Sequence, residues 1–324
     1  MAGKIAPNKL PKCGVPVLCT PVKILDIFCF EKLYKQRLRL LDDSKNKLKI
    51  VQTKEITTFA VMKYLFSPLR LIWRIWFYLL MITSILVMSP FILVLLSDEK
   101  YYGPFWKLMR GWSYFLIYGM GFILKIDREQ ELDREKSYVF IANHASLLDP
   151  WIMIASSKNP ILFVGKKELV KLPVFGFFYK KAVVMVDRKD PESRKKVYAR
   201  IKKRLDKGLS IAIFPEGLVP TEDVVLAPFN NGAFSLAIQY QMPIVPQLYF
   251  DAKRFFSWDF FKGRPGVFRA KQLKFLETKG LTMEDKDALK KQSFDLLYNE
   301  LANDKSYMKD TNRPNNEREF KSPL

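Results

Sequence analysis

His144 is the only histidine in a chain of 324 residues, and it stands five positions before an aspartate in Asn143-His144-Ala145-Ser146-Leu147-Leu148-Asp149-Pro150. Imidazole titrates near neutrality, so it can take and return a proton under physiological conditions. A carboxylate bonded to one ring nitrogen fixes the tautomer and leaves the other nitrogen to act as a base toward a hydroxyl. On one continuous helix, residues five apart point about 140° away from each other and cannot meet. The pair works only if His144 lies in a loop and Asp149 opens the next helix. Asp149-Pro150 reads as such a start, with Asp as the cap and Pro at the first helical position. The same residues also fit plainer roles, Asp149 as a cap alone and His144 as a hydrogen-bonded loop residue. Ser146 lacks the Gly-x-Ser-x-Gly elbow of a nucleophilic serine, and a local turn role suits it better.

Composition narrows the chemistry around that pair. A single histidine excludes a multi-histidine metal site. The three cysteines, Cys13, Cys19 and Cys29, all precede residue 30, which excludes a disulfide scaffold and thiol chemistry in the later chain. Hydrophobic residues make up 49% of the chain, too many for a disordered one. The formal charge of +21 calls for an anionic partner or surface: nucleic acid, membrane or a phosphorylated substrate.

The elements that must position the pair follow from periodicity. Short β-rich runs at 138–142, 161–164, 183–186, 211–214 and 244–250 have strand length. Helical patterns fall between and after them, at 150–157, 167–180, 192–207, 232–240 and 284–302. Alternation of this kind predicts an α/β fold with a mixed central sheet flanked by helices. His144 then follows a strand directly. Residues 192–207 hold eight Lys or Arg, with Val197, Ile201 and Leu205 as a narrow apolar stripe. Residues 304–324 are polar and read as a frayed tail.

Upstream lies the strongest compositional signal. Ile75 to Leu96 is 22 residues without a charge, about 33 Å as a helix and long enough to cross a hydrocarbon core. Lys63, Arg70 and Arg74 flank its start, Trp73 and Trp76 stand where interfacial aromatics belong, and Pro90 is expected to kink it. A shorter apolar run, Trp112 to Leu124, suits an interfacial or re-entrant helix. The expected organisation is an extension at 1–61, with Met62 as an alternative start, then a two-helix membrane motif at 62–125, a catalytic domain at 126–303 and the tail at 304–324. No early apolar run is followed by a cleavage site, so the start does not read as a secretory signal.

Further blocks follow His144 in a set order. They are Phe163-Val164-Gly165-Lys166-Lys167-Glu168-Leu169, Val186-Asp187-Arg188, Phe214-Pro215-Glu216-Gly217 and Met242-Pro243-Ile244-Val245-Pro246. With Asn143-His144 and Asp149, they make the chain similar to the glycerolipid acyltransferase family, over roughly residues 113–250. The best-known members of that family acylate 1-acylglycerol 3-phosphate. The resemblance implies that His144 deprotonates the acceptor hydroxyl as it attacks an acyl thioester, and that Asp149 orients His144. It implies a substrate-binding set of Asn143, Lys166, Lys167, Arg188, Glu216 and Gly217. Arg188 is the foremost phosphate contact in that set, Glu216 holds the acceptor's polar head, and Gly217 lets backbone approach it or simply makes a turn. No bound cofactor or metal is implied; the acyl thioester of coenzyme A or of an acyl carrier protein is a co-substrate. One departure stands out. Where the family's third block continues with Thr or Ser and then Arg, this chain has Leu218 and Val219.

The expected function is therefore a membrane-bound acyltransferase that makes phosphatidic acid in phospholipid biosynthesis. Its partners would be the bilayer, a lysophospholipid and the thioester donor, with the catalytic domain on the cytoplasmic side, at the inner membrane if the source is bacterial. The missing arginine keeps another lysolipid, such as a lyso-aminolipid, as an alternative acceptor. A non-enzymatic membrane tether would predict a broken His/Asp pair, and this pair is intact. Nucleic-acid binding rests on charge alone, with no base-reading motif beside the 22-residue apolar run.

Overall fold

The computed structural model describes residues 67–310, except for 167–169, 172–174, 187–200, 203, 206, 222, 258–259 and 261. The extension at 1–61 lies outside the described residues. Seven strands form one mixed sheet: β1 (Phe122–Arg128), β2 (Val139–Ala142), β3 (Ile161–Lys166), β4 (Val184–Val186), β5 (Ser210–Ile213), β6 (Ile244–Tyr249) and β7 (Gly266–Gln272). Their order is β1-β7-β6-β2-β5-β3-β4. Every pairing is parallel except β6 with β7. β2 and β6 are buried along their whole length, as expected of parallel strands covered on both faces. The helices are α1 (Ser67–Leu95), α2 (Tyr102–Gly119), α3 (Asp149–Ser156), α4 (Phe175–Ala182), α5 (Gly232–Gln239), α6 (Ala252–Phe255), α7 (Lys286–Asn303) and α8 (Lys305–Asp310). Residues 201–202 and 204–205 are also helical.

The seven-stranded sheet with flanking helices is the expected fold class, and five of its strands fall on the five apolar runs. β1 and β7 are additional. The run Trp112–Leu124, expected as one short helix, is divided instead. Its first part belongs to α2, which begins at Tyr102, and Phe122–Leu124 opens β1. Gly121, at φ +78°, turns the chain between them, a conformation open to glycine at little cost. Of the described residues in the expected helix at 167–180, 170–171 are 3-10 helical and Phe175 begins the α-helix that runs to Ala182. The start of the expected tail is ordered as α8. Its Tyr307 is buried and donates its hydroxyl to the Val225 carbonyl at 2.7 Å.

α1 is the one helix among the described residues long and apolar enough to cross a membrane, and only 17% of its most apolar stretch is buried. Leu79, Leu86, Val87, Phe91 and Val94 lie exposed on its outer side. Pro90 removes the N–H that would bond the Leu86 carbonyl, and the Ser89 hydroxyl donates to that carbonyl at 2.8 Å. The beginning of α1 is a docking surface as well as a flank. Trp73 and Trp76 donate their indole N–H groups to the Met120 and Gly119 carbonyls at 3.0 and 2.9 Å, satisfying acceptors at the end of α2. Arg74 is 2% exposed rather than a solvated flanking charge. It donates to the carbonyls of Ser257 and Lys262 at 2.7 and 3.0 Å and stacks 4.0 Å over Phe256. α1 is thereby tied to the loop that follows α6.

Candidate active site

The strand order builds the site. β6, β2 and β5 are neighbours, so the loops leaving their carboxyl ends meet at one edge of the sheet, where open α/β sheets bind ligands. β2 ends at Ala142, and the next two residues hold the turn. Asn143 is buried and extends the β2–β6 ladder with its side chain. Its Nδ2 donates to the Tyr249 carbonyl at 3.2 Å, and Tyr249 N–H donates to its Oδ1 at 2.8 Å. Both ends of the amide are therefore committed to backbone. This differs from the substrate-binding role expected of Asn143.

His144 and Asp149 meet. Nδ1 of His144 lies 2.9 Å from Oδ2 of Asp149. The same oxygen accepts the N–H groups of Ala145 at 2.6 Å and Ser146 at 2.7 Å. Asp149 is fully buried and is the first residue of α3, with Leu148 at the cap position. Its carboxylate thus serves the preceding turn rather than capping the helix, as the Asp-Pro signature suggested. Ser146 stays in that turn. Its hydroxyl donates to the Phe256 carbonyl at 2.8 Å and accepts from Leu148 N–H at 3.1 Å. The His144 ring stacks on Phe214, centroids 4.3 Å apart and planes 19° apart, and its side chain keeps 21% of its surface accessible. With Nδ1 engaged by the carboxylate, Nε2 is the nitrogen left for a ligand.

Glu216 comes from the loop after β5. It is 3% exposed, accepts His144 N–H through Oε1 at 2.6 Å and accepts Ala227 N–H through Oε2 at 2.8 Å. In this structure the carboxylate braces the His144 backbone. Burial pushes its pKa up to about 7; the two N–H bonds and the charges of His144 and Lys253 oppose that rise. Gly217 has φ +72°, the left-handed conformation of a tight turn, and it also lines the cavity described below. Lys167, Arg188 and the side chain of Lys166 lie outside the described residues.

The raised pKa makes a stability prediction. A carboxyl with a higher pKa folded than unfolded holds its proton longer in the folded state, so its contribution is largest below about pH 4.5 and declines as pH rises to about 7. A gap of that size corresponds to roughly 3 kcal/mol. Thermal unfolding of wild type and Glu216→Gln should therefore differ by an amount that shifts against wild type between pH 5 and 8. A constant difference across that range would contradict the burial account.

A cavity of about 1690 Å³ opens at His144. Its walls are mostly apolar: Leu147, Trp151, Phe163 and Phe214 near His144, then Phe77, Met81 and Ile85 of α1 and Trp106 and Met109 of α2. His144 thus shares one largely apolar cavity with residues of α1 and α2. Phe214 was part of a recognised block, but nothing in its spacing showed that its ring would flank the imidazole. Phe178 of α4 also lines the cavity.

The acyltransferase family model matches residues 123–249, from β1 to the end of β6. The His/Asp dyad lies on this sheet within that match, and over these residues the chain is similar to the acyltransferase family. Among its relatives, human 1-acyl-sn-glycerol-3-phosphate acyltransferase beta is 31% identical over 183 residues, 56% of this chain and 64% of that protein. The 1-acyl-sn-glycerol-3-phosphate acyltransferase of Limnanthes douglasii is 28% identical over 202 residues, 62% of this chain and 71% of the relative. The chain thus spans somewhat less than two thirds of the human relative's length. The crystal structure of the 1-acyl-sn-glycerophosphate (LPA) acyltransferase PlsC from Thermotoga maritima shares the fold. Its TM-score is 0.60 at 18% identity, covering 71% of this chain and 94% of that one.

Proposed function

We propose that this chain transfers an acyl group from a thioester to the free hydroxyl of 1-acylglycerol 3-phosphate, giving phosphatidic acid. The observation that carries the proposal is the His144–Asp149 dyad at the mouth of an apolar cavity walled by α1 and α2. His144 Nε2 takes the hydroxyl proton as the oxygen attacks the thioester carbonyl carbon. The tetrahedral intermediate then expels the thiolate, which receives that proton from the imidazolium. Asp149 keeps Nδ1 protonated and stabilises the imidazolium. No enzyme nucleophile is needed.

The cavity suits an acyl chain, since burying each methylene is worth about 0.8 kcal/mol. The apolar outer face of α1 suits a bilayer, which would let a lysolipid enter with its chain already out of water. The donor is coenzyme A or an acyl carrier protein, both anionic and both suited to the basic stretch at 192–207. A soluble thioester places the catalytic domain on the cytoplasmic side. By their place in the sequence blocks, Arg188, Lys166 and Lys167 are further phosphate contacts.

Leu218 and Val219, standing where an arginine was expected, favour a second reading: the same transfer to another lysolipid, such as a lyso-aminolipid. Purified protein offered a panel of lysolipids with an acyl thioester, with products identified by mass spectrometry, decides between them. Phosphatidic acid is the expected main product. In the same assay, Arg188→Ala should raise KM for lysophosphatidic acid about tenfold with little change in kcat, the loss of one charged hydrogen bond. An unchanged KM would remove Arg188 from the phosphate site.

A further inference from the structure

Residues 224–230 run past the turn that carries Glu216 without belonging to a helix or a strand. Val225, Leu226 and Ala227 are nevertheless buried. Buried backbone outside regular structure must find its hydrogen bonds elsewhere. On one side this segment bonds to the site. Ala227 N–H donates to Glu216 Oε2 at 2.8 Å, and Asn230 donates to the Pro215 carbonyl through its backbone N–H at 2.8 Å and its Nδ2 at 3.0 Å. On the other side it bonds to α6 and α8. Lys253 of α6 donates to the Val224 carbonyl, and Tyr307 of α8 donates its hydroxyl to the Val225 carbonyl at 2.7 Å.

α8 is itself fixed. Asp304, just before it, accepts Tyr307 N–H at 2.8 Å, the bond of a helix cap. Arg269 of β7 donates to the same carboxylate at 2.6 Å and grips Asp251 at 2.9 and 3.0 Å. Tyr307 is 1% exposed, so its ring cannot swing away without opening the core. A chain of bonds thus runs from Tyr307 through Val225, Ala227 and Glu216 to the His144 backbone N–H, which Glu216 accepts at 2.6 Å. Val225 and Ala227 are two peptides apart, and each peptide is planar, so fixing the Val225 carbonyl limits where the Ala227 N–H can point.

We infer that Tyr307 is a positioning residue for the His144–Asp149 dyad. It holds the Val225 peptide, which sets the Ala227 N–H, which aims the Glu216 carboxylate at the His144 N–H. It acts through Glu216 rather than on the imidazole. The inference rests on the proposed function, in which His144 is the base.

The test uses the single histidine. In full-length, untagged protein purified in detergent and labelled with ¹⁵N-histidine, His144 gives the one labelled backbone amide signal, and its position reports the bond to Glu216. Tyr307→Phe keeps the ring and removes only the hydroxyl, taking the donor from the buried Val225 carbonyl. The His144 amide signal should move upfield, toward its position in Glu216→Gln. kcat should fall about tenfold with KM within about twofold, inside the roughly hundredfold that a small misplacement of reacting groups can cost. In the Glu216→Gln background the same substitution should lower kcat less than about twofold, because its route to His144 is already altered. A purely structural hydroxyl would lower the unfolding midpoint while leaving the amide signal and the kcat of folded protein unchanged. That result, or equal losses of kcat in both backgrounds, would overturn the inference. The proposed function fails by a different result, no turnover of any lysolipid by wild type, and the amide signal still reads Tyr307 in that case.

Discussion

Replacing His144 with alanine is expected to lower kcat roughly 10²- to 10⁴-fold, the range that a positioned general base supplies. The chain holds no second histidine to take over the proton. The ring is also poised for the task. One nitrogen is bound to Asp149 and one face is covered by Phe214, so the imidazole cannot turn without losing both contacts. The substitution leaves the bonds of the His144 backbone N–H to Glu216 and of Asp149 to the turn amides in place, so the loop should keep its shape. Membrane association and thermal stability are expected to stay near wild type while turnover collapses. Turnover within a fewfold of wild type in this variant would remove the general base from the mechanism.

Asp149→Asn should give the second large loss, again roughly 10²- to 10⁴-fold in kcat, by the precedent of triad aspartates. The physical reason has two parts. Oδ2 is held by two backbone N–H groups, so the asparagine oxygen is selected for that position and the nitrogen is directed to the other. His144 therefore keeps its acceptor and its orientation but loses the negative charge that stabilises the imidazolium. The other oxygen, Oδ1, is buried and makes no hydrogen bond among the described residues. An amide N–H₂ there would be unsatisfied, at about 1–3 kcal/mol of stability. Asp149→Ala removes charge and orientation together and should lose more activity than Asp149→Asn. Measuring kcat and the unfolding midpoint of both variants separates charge from positioning. Equal activities in the two would mean that positioning contributes nothing beyond the charge.

Much of the fold was legible from local pattern. Five apolar runs of strand length became β2 to β6, and the alternation with helices foretold a mixed sheet. β1 and β7 escaped because neither is an uninterrupted apolar run. β7 alternates buried Phe268 and Ala270 with Arg269 and Lys271, and Arg269 finds its partners in Asp251 and Asp304. β1 follows α2 with only Met120 and Gly121 between them, so the apolar run crosses a boundary that only the glycine marks. α8 looked like part of a polar tail because six residues with one buried tyrosine carry no periodic signal.

The site divides along the same line. The order of the blocks and the five-residue spacing of His144 and Asp149 were sufficient to expect an acyltransferase fold and a loop-to-helix dyad, because both depend on neighbours in the chain. Side chains that bond across the sheet were not readable. Asn143 bonds Tyr249 over 106 positions and His144 bonds Glu216 over 72. Those partners are set by which strands lie side by side, and one family of local patterns allows many strand orders. Hence the backbone bonds by which Asn143 and Glu216 brace the loop, set by the β6-β2-β5 order, could not be read from the sequence.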